Sequence, residues 1–133
     1  MQLIPYLHFQ GNCEEAFKFY EKVFGGKIES IMPFEGAPPS NNVPADWGKK
    51  IMHATMSVEG QTLMGSDAPP KYFERPQGFR VTVNLKDMAR AKKIYDALSQ
   101  DGKITMAFAQ TFWSPGFAMF EDRFGIPWMI NCE

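Results

Sequence analysis

The chain has 133 residues, 44% hydrophobic and 22% charged, with a net charge of −1 and a pI near 6.1. That is the size of one domain, large enough to bury a core without disulfides or a structural metal. The balanced charge excludes the basic footprint of a nucleic-acid or anionic-membrane binder, and no apolar run approaches the roughly 18 residues that span a bilayer.

Leu3 to Phe9 reads as a strand that begins without a basic or apolar leader segment, so a cytoplasmic protein is expected. Asn12 is a helix N-cap candidate with Glu14 and Glu15 in the first turn; Ala16, Phe17, Tyr20, Val23 and Phe24 then share one helical face. Gly25-Gly26 ends the helix, and residues 27 to 34 read as a strand. Residues 35 to 48, rich in Pro, Gly and Asn, read as a long loop and a candidate lid. Strands are expected over 50 to 58 and 61 to 65 around a Glu59-Gly60 turn. A Pro-rich segment follows, then a strand over 79 to 85 and a helix capped by Asp87 with Met88, Ala91, Ile94, Tyr95 and Leu98 on one face. Further strands are expected near 103 to 110, 117 to 121 and 127 to 132. The last two form an aromatic hairpin that must be covered on at least one face.

The order strand, helix, strand, strand, strand occurs twice. The two caps, Asn12 and Asp87, lie 75 residues apart; at that offset Ala16 meets Ala91, Tyr20 meets Tyr95 and Val23 meets Leu98. One residue later Gly26-Lys27-Ile28 meets Gly102-Lys103-Ile104, and Leu63-Met64 corresponds to Trp128-Met129 by its place after a glycine turn, Gly60 or Gly125. The expected fold class is therefore α+β: two βαβββ modules, about 1–66 and 78–133, making a single domain over 1–133. One helix covers one face of each sheet, and the other faces are expected to line a cavity.

Several stretches carry a resemblance to a known family. Pro5-Tyr-Leu-His-Phe-Gln-Gly-Asn-Cys-Glu-Glu-Ala16, Phe24-Gly-Gly26, Ile51-Met-His-Ala54, Leu63 to Pro70, Thr111-Phe-Trp113 and Asp122 with Phe124 to Asn131 are similar to PhnB-like proteins of the vicinal oxygen chelate superfamily. The resemblance implies a fold like that of the glyoxalase, bleomycin-resistance and dihydroxybiphenyl-dioxygenase proteins, and a homodimer. Members have carried a label as 3-demethylubiquinone-9 3-methyltransferases, but no glycine-rich strand-to-helix turn suited to a nucleotide-like methyl donor is present.

Superfamily enzymes hold a divalent metal with His and Glu on the first and last strands of each module. The matching positions lie near Pro5, Met64, Phe79 or Arg80, and Met129, none of which suits a hard divalent ion. No metal and no cofactor are expected. His8 and His53 are the only histidines; they either meet across adjacent strands or are bonded within the sheet. By alternation Met52 and Met56 share a strand face and His53 points away from both. Met64 and Met129 are expected to point inward, with Trp113 and Phe120 near the cavity mouth and Trp47 and Trp113 as candidate stacking surfaces for a planar ligand; Trp113, at a strand-to-loop junction, is equally a candidate dimer contact.

Ser66-Asp67 reads as strand-ending turn chemistry and Glu121-Asp122 as hairpin-turn carboxylates. Cys13, in a first helical turn, is either a small buried side chain or a thiol activated by the helix dipole; the pair Cys13 and Cys132 is read as free. The expected function is binding of a small apolar or aromatic molecule in a metal-free cavity. The alternative is an enzyme using a displaced metal site or His8, His53 or Glu59 as acid or base.

Overall fold

The computed structural model describes residues 1–38 and 43–133. Its contacts divide the chain into two units, Met1–Glu74 and Arg75–Glu133.

In the first unit, β1 is Tyr6–Phe9, α1 Cys13–Phe24, β2 Lys27–Pro33, β3 Ile51–Val58 and β4 Gln61–Asp67. They form one sheet in the order β1-β4-β3-β2, with β1 parallel to β4 and the other pairs antiparallel. Alternation along β1 assigns the two faces. Leu7 and Phe9 are buried beneath α1, where Phe9 meets Phe17 edge-on at 6.1 Å, while Tyr6 and His8 point the other way. Ala16, Phe17, Tyr20 and Phe24 recur on the buried face of α1. Gly25, left-handed at φ 67°, ends the helix, as the Gly25-Gly26 pair predicts.

The second unit repeats the plan: β5 Val81–Leu85, α2 Met88–Leu98, β6 Lys103–Ala109, β7 Gly116–Glu121 and β8 Pro127–Cys132, in sheet order β5-β8-β7-β6. Asp87 caps α2 through its carboxylate, which accepts from Arg90 N at 3.0 Å. The two modules are thus the expected α+β pair of βαβββ units. They share a finer device as well. A Cβ on Gly26 would lie 2.6 Å from Ser57 O, and one on Gly102 would lie 2.1 Å from Glu121 O. In both units the residue just before the second strand must be glycine because a neighbouring strand's carbonyl occupies the Cβ position.

Three local expectations change. β1 starts at Tyr6, leaving Leu3 exposed ahead of it. Asn12 stands at the start of α1, but its side chain makes no capping bond. The 35–48 loop read as a lid includes residues 39–42, which lie outside the described residues; within it Ala45–Trp47 form a short 3-10 turn.

Candidate functional site

On the sheet face that α1 leaves uncovered, β1 contributes Tyr6 and His8, and β4 contributes Met64 and Ser66 directly opposite them. β3 adds Thr55 opposite Met64, and His53. Three of them, Tyr6, His53 and Thr55, form a hydrogen-bonded line. Tyr6 Oη lies 3.1 Å from His53 Nδ1, and His53 Nε2 lies 3.0 Å from Thr55 Oγ1. The Tyr6 ring is flanked by both imidazoles, His8 edge-on at 5.4 Å and His53 tilted at 5.7 Å.

His8 and His53 do not lie on adjacent strands, because β4 is inserted between β1 and β3; each touches Tyr6 instead. Met52 and Met56 do not share a face. Met32 and Pro33 pair with His53 and Ile51, so Met52 is the extra residue of a bulge and points out, while Met56 is buried.

The second sheet's uncovered face carries Thr82 and Met119, both paired with Met129, and Asn84 paired with Asn131. Asn131 Nδ2 donates to Asn84 Oδ1 at 2.6 Å. Both carboxylate oxygens of Glu121 accept from the single Arg75 Nη2, at 3.0 and 3.1 Å. Phe120 points away from this face: it is fully buried and meets Tyr95 of α2 edge-on at 5.5 Å. Its expected place at a cavity mouth is therefore wrong, because Phe120 shares the phase of Ala118, not that of Met119. Trp47 is likewise buried, packed on Phe34 at 6.2 Å, and offers no free stacking surface. Trp113 is 54% exposed and lies edge-on to Phe112 and Phe117. Thr111 Oγ1 holds its loop by accepting from the backbone N–H of Trp113 and Ser114.

Two buried carboxylates are structural. Asp67 accepts from Gly11 N and Cys13 N on one oxygen and from Ile51 N on the other, all within 2.9 Å. Asp122 accepts from Phe124 N, Ile126 N and Trp128 Nε1, closing the hairpin turn. A carboxylate before a tight turn signals the second; nothing local signals Asp67, whose partners lie 16 to 56 residues away. Glu59, at φ 47° beside Gly60 at φ 80°, forms a turn tip.

Cys13 and Cys132 are buried free thiols. Burial, then the charges of Asp67 and Glu14, push the Cys13 thiol far above its ordinary value, so the helix start does not activate it. The unfolded chain alone then loses this proton as pH rises past the ordinary thiol range. We expect stability to fall by about 1.4 kcal/mol per pH unit above roughly pH 9. Urea unfolding of wild type and Cys13→Ala across that range checks this; parallel curves would refute it.

The superfamily's metal does not fit these residues. The strand register sets Tyr6 opposite Met64 and Thr82 opposite Met129, pairs of hydroxyl and thioether rather than imidazole and carboxylate. Among the described residues no three of His, Cys, Asp and Glu come together, and His53 already has both ring nitrogens in contact. No helix is long and apolar enough to cross a membrane among those residues.

Comparison with known proteins agrees with this architecture. The chain is 35% identical to protein YjdN of Escherichia coli K12 over 139 residues, covering 98% of this chain and 95% of that protein. The crystal structure of PA1353 from Pseudomonas aeruginosa superposes with a TM-score of 0.90 at 44% identity, covering 100% of this chain and 98% of the other. A PhnB protein from Bacillus cereus gives a TM-score of 0.84 at 24% identity, covering both chains fully. Residues 1–131 match the family described as 3-demethylubiquinone-9 3-methyltransferase. The chain therefore belongs to this PhnB-like family, on the vicinal oxygen chelate fold.

Proposed function

We propose that the chain binds a small planar, apolar or aromatic molecule without a metal, on the uncovered sheet face of Tyr6, Met64 and His53. The observation that carries this reading is the Tyr6–His53–Thr55 line: a preorganised polar edge beside the Tyr6 ring and the Met64 thioether. A few oriented polar groups on apolar walls are the usual make-up of a small-molecule site. Met129 and Met119 give the second sheet adaptable apolar surface of the same kind.

Methyl transfer is not part of this reading. The turn before α1 has its Gly11 and Cys13 amides taken by the Asp67 carboxylate, so they are not free to cradle a phosphate-bearing or nucleotide-like donor.

Apolar contact is worth about 25 cal/mol per Å² buried. Met64→Glu with Met129→Glu should then weaken binding of the hydrophobic dye ANS by about tenfold. EDTA should leave dye binding and melting temperature unchanged. A fall of several degrees in EDTA that zinc or nickel restores would overturn the metal-free reading.

The same line favours a second reading, acid–base chemistry with His53 acting through Tyr6. Mass spectrometry of a co-purified ligand after long incubation separates the two: an enzyme converts it, and a binder returns it unchanged. We also propose that the protein is a cytoplasmic homodimer. Phe112 and Trp113, 97% and 54% exposed, with Ile104 and Met106 on β6, are apolar surface for a second copy to cover. Light scattering at micromolar concentration should give the dimer mass, and a monomer mass would refute it.

A further inference from the structure

We infer that the molecule bound at Tyr6 is a hydrogen-bond donor, a hydroxyarene or an enol, recognised by the Tyr6 phenol oxygen acting as acceptor. This rests on the reading that the uncovered face of the first sheet binds a planar molecule. A neutral imidazole carries one N–H, so of His53's two contacts one donates and one accepts. Either the Tyr6 phenol donates to Nδ1 or the Thr55 hydroxyl donates to Nε2, and a phenol is a much stronger hydrogen-bond donor than an aliphatic hydroxyl. The phenol hydrogen therefore lies on the 3.1 Å line from Tyr6 Oη to His53 Nδ1. The imidazole hydrogen is then on Nε2 and donates to Thr55 Oγ1 at 3.0 Å. Tyr6 has no second hydrogen. What its 42% exposed ring offers at the oxygen is lone pairs, strengthened as acceptors because the hydroxyl is itself donating. A planar molecule lying against Tyr6 and Met64 gains a hydrogen bond at this point if it carries an O–H, and gains none if that oxygen is alkylated.

The test compares 2-naphthol with 2-methoxynaphthalene, which keeps the ring and the oxygen and lacks the donor. Both are un-ionised at about pH 7.5 and fluorescent. Wild type should bind 2-naphthol about tenfold more tightly. Tyr6→Phe should reduce that ratio to about one while leaving 2-methoxynaphthalene within about twofold of wild type. His53→Leu releases the Tyr6 hydrogen, and should lower the ratio although the phenol remains. Circular dichroism confirms that each variant is folded. Equal binding of the two probes to wild type overturns the inference and leaves the planar-ligand reading standing. Binding of neither probe overturns both. A tenfold preference that survives Tyr6→Phe also overturns it.

Discussion

Asp67→Ala should cost about 3–5 kcal/mol, among the largest single-residue effects in the first unit. The carboxylate is 2% exposed, and truncation leaves three buried or half-buried amides, Gly11, Cys13 and Ile51, without their acceptor. Each orphaned amide costs about 1–3 kcal/mol, partly offset because a charge no longer has to be held out of water. Asp67→Asn tests the same geometry more finely. An amide side chain keeps one acceptor oxygen, so either Ile51 N or the Gly11 and Cys13 pair faces an NH2 group. A cost of about 2 kcal/mol is expected. Urea unfolding measures both, with the exposed Glu14→Ala as a reference expected within about 0.5 kcal/mol of wild type. If Asp67→Ala costs under about 1 kcal/mol, the anchor reading fails. The effect should also reach the site. Asp67 ties the turn before α1 to the start of β3, and its own strand β4 lies between the strands carrying Tyr6 and His53. Loosening it should weaken 2-naphthol binding as well as stability.

Gly102→Ala should destabilise the second unit by about 3–5 kcal/mol, lowering its melting temperature by roughly 10 °C or more. The added methyl would sit 2.1 Å from Glu121 O and 3.1 Å from Asp122 Cα, both backbone atoms that cannot swing aside as a side chain would. Relief requires β6 to move from β7, at the strand end where Lys103 pairs with Glu121. Gly125→Ala provides the contrast. Nothing lies within 4 Å of its Cβ position, but its φ is 86°, so only backbone strain of about 1 kcal/mol is expected. Differential scanning calorimetry of the two variants separates collision from strain. A shift under about 2 °C for Gly102→Ala would show that β6 yields freely.

Much of this protein follows from local pattern. Period 3.6 in Ala16, Phe17, Tyr20 and Phe24 gives α1 and its buried face, and the Asp87 cap gives the start of α2. The repeated order of elements, with Gly26 and Gly102 at equivalent places, gives the two modules and the family resemblance. These features are legible because each depends on residues a few positions apart.

The remaining features depend on strand order and on single extra residues, which no local pattern reveals. Alternation alone sets Met52 and Met56 on one face; the bulge at Met52 changes the phase and turns Met52 out while Met56 stays in. Alternation also cannot say which phase of β7 meets the helix, and packing against Tyr95 took Phe120 inward. The insertion of β4 between β1 and β3 separates the two histidines and lets His53 reach Tyr6, 47 residues away in the chain. The same insertion brings Asp67 to the amides at the start of α1, so that a distant carboxylate takes the part that Asn12, adjacent in sequence, was expected to play. Side-chain periodicity fixes direction relative to a strand's own neighbours; which strand lies alongside is settled by burial of the whole sheet against its helix, and it is that choice which assembles the site.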